Sequence, residues 1–229
     1  MKILDSIPVN IGLEDVLDEL RIKRKPLSIE NSILDLIDRV KHVVRPKILY
    51  KASNIEAKSD NSIRIEGVEI TSAILRMILK DGDIVFPHII TSGIEVESVD
   101  ISKDSYLKKL LFDEIKGLAL ETAVNYFETF LKEKYGFETV SAVNPGAPEA
   151  WPLTQQPALF SIFGNVEELI GVRLTDNFMM DPIKSVSGIY FPTDFAFMNC
   201  RLCPQERCVK RKAEYDERLA EKYDNTNVS

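Results

Sequence analysis

The chain has 229 residues, 45% of them hydrophobic and 28% charged. That length and balance suit one large globular unit or two small ones and exclude a disordered or fibrous polymer. A formal net charge of −7 argues against a broad nucleic-acid-binding face, which needs a basic surface.

The opening, "MKILDSIPVNIGLEDVLDEL", lacks the apolar core of a secretory signal, and no apolar run reaches the roughly 18 residues of a membrane span. The expected compartment is the reducing cytoplasm, with no membrane partner. "GLEDVLDELRIKR" puts Leu13, Val16, Leu17 and Leu20 on one helical face. "LSIENSILDLIDRVKHVVRP" repeats the pattern through Ile29, Ile33, Ile37, Val40 and Val44, with Ser28 as N-cap and Pro46 past the end. "KILYKASNIEA" and "NSIRIEGVEI" then alternate with β-branched residues and read as a hairpin or meander. A short helix over "TSAILRMILKDG" precedes "DIVFPHIITSG", an apolar run of strand length expected at the sheet centre. His88 lies inside that run and reads as a core histidine ahead of a catalytic base.

"SYLKKLLFDEIKGLALETAVNYFETFLKEKYG" is the longest helical signal, with Leu107, Leu111, Ile115, Leu118, Thr122 and Asn125 on one face and Gly136 as its stop. After a Pro- and Gly-rich stretch come a short helix over "PALFSIFG" and strands over "GVRLTDNF" and "SVSGIYFP". "RCVKRKAEYDERLAEKY" reads as a charged, exposed closing helix, so its basic residues form a solvated face. The organisation expected is an N-terminal helical segment over 1–46 packed on the core, an α+β core over 47–198, and a Cys-rich turn with a charged helix over 199–229. The fold class is α+β, a twisted and mainly antiparallel sheet packed with helices.

Common catalytic motifs are missing: no Walker-type loop, G-x-G-x-x-G, H-E-x-x-H or G-x-S-x-G occurs. Two segments stand out instead. In "NPGAPEAWPL", Pro145-Gly146 fixes a turn whose backbone N–H groups suit a carboxylate or a ribose; a plain tight turn capped by Trp151 is the competing reading. In "SVSGIYF", the small residues Ser185, Val186, Ser187 and Gly188 let a ligand lie against the backbone, or simply pack. All three cysteines fall within nine residues, as Cys200-x-x-Cys203-x-x-x-x-Cys208 beside basic side chains. That spacing offers three thiolates to one metal, either an iron–sulfur cluster or a zinc ion, with reduced free cysteines as the alternative.

"GVRLTDNFMMDPIKSVSGIYF" resembles the activation (reactivation) domain of vitamin B12-dependent methionine synthase, matching at Leu174, Thr175, Met180, Pro182, Ser185, Val186, Ser187, Gly188, Tyr190 and Phe191. "LALETAVNYF" is similar to that family's long helix, and "IITSGIEVES" to a segment of its short relatives. The resemblance implies the activation-domain fold and S-adenosylmethionine as ligand. It implies contacts from Glu121 and from the Pro145-Gly146 loop, with Ser185, Val186, Ser187 and Gly188 offering backbone and Asn144 and Trp151 as partial stand-ins for family side chains that this chain lacks. Cobalamin would come only on a corrinoid-binding partner or methyltransferase. The family carries an arginine and a tyrosine where this chain has Ala142 and Ala147. Losing a carboxylate clamp and an aromatic contact removes about 2–4 kcal/mol of ligand binding. The resemblance thus implies an accessory role in a cobalamin-dependent methyltransferase system, returning inactive cobalt to its methyl-carrying cycle. The alternative is a metal-stapled scaffold that docks on such a partner without S-adenosylmethionine.

Overall fold

The structure is a computed structural model, describing residues 1–22, 26–79, 82–147, 151–193, 199–203, 205, 207–208, 211 and 213–218. It opens with a strand the sequence reading did not anticipate, β1 (Lys2–Leu4), followed by α1 (Leu13–Glu19) and α2 (Leu27–Val40). The second helix starts one residue earlier than its predicted cap: Pro26 occupies the N-cap, and Ser28 lies inside the first turn, where its carbonyl accepts from Ser32 Oγ. Proline suits that place because a helix start leaves N–H groups unpaired in any case.

The expected meander is longer and splits between two sheets. β2 (Lys47–Tyr50) and β3 (Ser53–Asn54) both pair with the central strand, whereas β4 (Ala57–Lys58), β5 (Ser62–Ile65) and β6 (Val68–Thr71) form a separate antiparallel sheet. Helix α3 (Ala73–Ile78), capped by Ser72 Oγ accepting from Leu75 N–H, leads to β7 (Ile84–Thr91). Next comes α4 (Tyr106–Tyr135), capped by Ser105, then β8 (Val140–Val143). Two short helices, α5 (Gln156–Ser161) and α6 (Val166–Ile170), precede the small pair β9 (Arg173–Leu174) and β10 (Met180–Asp181) and the long strand β11 (Ser185–Pro192). The main sheet runs β1-β2-β7-β11-β8, every pair antiparallel, with β7 in the middle as its apolar run predicts. The α+β architecture of a mainly antiparallel sheet packed with helices is the one observed.

Alternation sorts the sheet residues onto two faces. Ile48, Tyr50, Phe86, Ile90 and Tyr190 face α4 and pack with Ala123, Phe127 and Leu131. Leu49, Val85, Ile89, Ile189 and Phe191 face the other way, onto α3, α5 and α6. The N-terminal half of α4 belongs to a third cluster, where Leu111, Phe112 and Ile115 meet Val16, Leu17, Ile33, Leu36 and Val40 of α1 and α2. Its buried face is therefore Leu111, Ile115, Ala119, Ala123, Phe127 and Leu131. The predicted face was offset, since Leu107 and Asn125 are exposed. Ala123 is the small residue of this helix in the cluster against the sheet, and Ala119 packs with α1 and α2.

Of the predicted closing helix, residues 207, 208, 211 and 213–216 are not helical, and the rest beyond 218 lies outside the described residues. Among the described residues, no helix is long and apolar enough to cross a membrane.

The chain turns sharply where β7 ends. Gly93 has φ +98°, and a Cβ there would stand 2.2 Å from the carbonyl oxygen of Arg45. Both the backbone angle and the contact forbid a side chain. Gly93→Ala is expected to destabilise the fold by about 2–4 kcal/mol, read from the midpoint of urea unfolding at an unchanged m-value.

Candidate functional site

The strand β11 is paired on one edge only over its first residues. β7 pairs with it from Ser185↔Thr91 to Tyr190↔Phe86, but β8 joins only at Ile189↔Val143 and beyond. At Asn144 the chain leaves the sheet into the Pro145-Gly146 turn, which closes through the Gly146 N–H donating to the Trp151 carbonyl at 2.8 Å. Between the free edge of β11 and that turn lies a cavity of about 220 Å³, lined by Asn144, Pro145, Gln156, Ser185, Val186 and Ser187. Leu153, Met179, Met180 and Ile183 complete its apolar wall.

Asn144 Nδ2 donates to the Ser187 carbonyl at 2.8 Å, so the peptide groups of Ser187 point to the β8 side of the strand. In an extended chain residues two apart aim the same way, so Ser185 presents its N–H and carbonyl to the same open edge. Ser187 Oγ donates to Gln156 Oε1 at 2.7 Å, with both side chains buried. This bond fixes the Gln156 amide and leaves its NH2 as the donor end. The sequence reading missed Gln156. Its signal was a glutamine directly before Pro157 at the start of an apolar helix, where burial obliges the amide to find a partner.

The predicted residues divide into two sets. Asn144, Pro145, Ser185, Val186 and Ser187 come together around the cavity. Glu121 sits half-buried on α4, about 160° around the helix from both buried Ala119 and Ala123, and is not among the described lining. Trp151 is wholly buried in the core beneath the turn, and its Nε1 has no hydrogen-bond partner among the described residues. Gly146 packs against Leu153. Gly188 faces α4, and the space a side chain would occupy is filled by the protein: a Cβ would lie 2.5 Å from the Val143 carbonyl oxygen, 2.6 Å from Asn144 Nδ2 and 3.2 Å from His88 Cε1. Its smallness serves packing, and the two serines are the residues of this run that line the cavity together with Val186.

His88, opposite Gly188, is completely buried against Tyr190 and Phe127, with ring centroids at 4.8 and 5.7 Å. Its Nδ1–H donates to the Phe86 carbonyl at 3.2 Å. Burial pushes its pKa down to about 4, so the ring is a neutral core element.

Around the cysteines the described residues form no grouped metal site. Cys200, Cys203 and Cys208 are half-buried and in no disulfide, and among the described residues no three His, Cys, Asp or Glu side chains are grouped to hold a metal ion. The turn is organised instead by Arg211, whose guanidinium donates to the carbonyls of Cys200, Cys203, Gln205 and Ala213 at 2.9, 2.9, 2.6 and 3.1 Å. Arg211 was expected on a solvated helix face and is turned inward. Leu202, buried in the main core, anchors the same turn.

Two outcomes follow from this packing. Gly188→Ala is expected to cost about 1–3 kcal/mol of stability without any ligand, while Ser185→Ala, half-exposed, costs under ~0.5 kcal/mol, both read by chemical unfolding. For His88, an unfolded chain takes up the proton near pH 6.5 and the folded one near pH 4. Falling pH therefore protonates the unfolded state first: stability is full above pH 6.5 and declines to pH 4 by about 3 kcal/mol. His88→Leu is expected to flatten that decline in unfolding curves measured across the window.

Residues 114–206 match the family model for the activation domain of vitamin B12-dependent methionine synthase. No curated protein matches the chain. A crystal structure of the MetH reactivation domain bound to AdoHcy is similar in fold, with a TM-score of 0.58 and 13% identity, over 87% of this chain and 81% of that one. The matched segment runs from α4 through the cavity to the cysteine turn. The matched segment of this chain is thus similar to the activation domain of vitamin B12-dependent methionine synthase, and it lies within a fold like that of the reactivation domain.

Proposed function

We propose that this protein acts in the reactivation of a corrinoid partner and holds S-adenosylmethionine in the cavity at the free edge of β11. The observation that carries the reading is the edge of β11 at Ser185 and Ser187, which no strand covers and where only the Ser187 carbonyl is met, by Asn144, facing a cavity with Asn144 and Gln156. A strand edge offers alternating donors and acceptors at fixed spacing, which suits a purine or a ribose. The similar structure's AdoHcy, the demethylated form of that donor, supports the same ligand class.

The chemistry would be divided. The corrin and the electron arrive on partners, and the methyl group is supplied by the sulfonium ligand. This chain's own residues orient that ligand, which is catalysis by placement. Met179 and Ile183, about half and three-quarters exposed, stand at the mouth of the cavity where a partner's corrin face would dock. The setting is the cytoplasm, beside a corrinoid-binding protein or methyltransferase.

A second reading, a docking scaffold without S-adenosylmethionine, draws on Ala142 and Ala147. Ala142 lies within β8, paired with Tyr190, and Ala147 is exposed on the turn, so neither position supplies a clamp. Calorimetry separates the two. Heat of binding with S-adenosylmethionine, reduced about tenfold in affinity by Gln156→Leu, supports the ligand-holding role. No heat at millimolar ligand leaves the scaffold.

A further inference from the structure

Resting on that reading, we infer that the cavity recognises only the nucleoside end of its ligand and accepts 5′-thioether adenosines whatever their amino-acid tail. Three observations carry this. First, among the described residues the ten that line the cavity include no charged side chain. Its polar groups are two amides and two serines, which match a neutral purine and ribose and not a zwitterion. Second, the cations nearby in sequence are engaged. Lys184, between Ile183 and Ser185, pairs with Asp113 at 2.8 Å, and Arg173 pairs with Asp181 at 2.8 Å. From Asn144 to Gln156 the sequence contains neither lysine nor arginine. Third, the volume of about 220 Å³ falls below the ~300 Å³ at which pockets for whole drug-sized ligands begin. It suits part of such a ligand, with the remainder outside.

The apolar wall fits the same ligand end. Met179 and Met180 present flexible thioether side chains, which pack well against flat aromatic rings. Leu153 and Pro145 add apolar surface near the turn. A carboxylate held by arginine would gain a charge-assisted bidentate contact; a tail left in water gains none. The amino-acid half of the ligand would then lie toward the partner, whose surface is free to hold it.

The experiment compares S-adenosylhomocysteine with 5′-methylthioadenosine, which differ only in the amino-acid tail, by calorimetry on the full chain, with S-adenosylmethionine titrated in the same series. Affinities equal within ~3-fold, or better for methylthioadenosine, are expected. A preference of about tenfold or more for S-adenosylhomocysteine, the size of a charged hydrogen bond, overturns the inference and leaves the ligand-holding role intact. Binding of S-adenosylmethionine alone also overturns it, because the sulfonium would then be the group recognised. Silence from all three ligands overturns both the inference and the reading on which it rests.

Discussion

The antiparallel pairing of β11 with β7 is the constraint on which the rest of the molecule depends. Six successive residue pairs, from Ser185↔Thr91 to Tyr190↔Phe86, set one register, and a slip of one residue would turn every side chain to the opposite face. In this register Gly188 meets His88 and Tyr190 meets Phe86 on the α4 side. Ser187 is sent to the other side, where Gln156 receives its hydroxyl. The same register leaves Ser185 and Ser187 with a free edge, because β8 ends at Val143 and Asn144 turns away. The cavity is thus a consequence of unequal strand lengths. Where the shorter strand stops, Asn144 satisfies one carbonyl of the longer one, and the remaining polar groups are left to a ligand or water.

Helix α4 couples this sheet to the N-terminal helices. Its first half packs with α1 and α2, and its second half covers β2, β7 and β11. Two alanines mark the changeover, Ala119 packing with α1 and α2 and Ala123 with the sheet. Arg39 joins Asp104 just ahead of that helix at 2.8 Å, and Lys108 joins Asp35 at 2.7 Å, so the α2–α4 seam is edged by ion pairs. Such exposed pairs orient more than they stabilise. The apolar contacts beneath them hold the seam.

The cysteine turn shows how a local pattern can be organised by something other than what its spacing suggests. Four carbonyls converge on one guanidinium, which has five N–H donors in a planar fork and suits a tight turn whose acceptors would otherwise stay unpaired. Among the described residues the thiols share no common centre with two further His, Cys, Asp or Glu side chains. C-x-x-C spacing brings two sulfurs near each other only if the intervening backbone is free to wrap a metal.

Much of the fold was legible in the sequence because its signals are local. Period-3.6 patterns marked α1, α2 and α4, the segment "TSAILRMILKDG" marked α3, and an unbroken apolar run marked β7 as the central strand. The loop and the serine-rich strand of the candidate site were legible too, at Asn144, Pro145, Ser185, Val186 and Ser187. What tertiary structure decided was which of those residues face one another. Glu121 points away from the sheet because helical phase is set by the core that α4 covers. Trp151 is spent on packing, and Gly188 yields its space to Val143 and Asn144. Gln156 becomes a site residue only because α5 lies over β11. β1 was hidden because three residues carry too little periodicity to announce a strand, and only the waiting edge of β2 makes them one. Local chemistry by itself determined the elements and the family likeness. Contacts between segments far apart in sequence decided the cavity, its neutral lining and the inward turn of Arg211, since each requires surfaces that exist only once the sheet has closed.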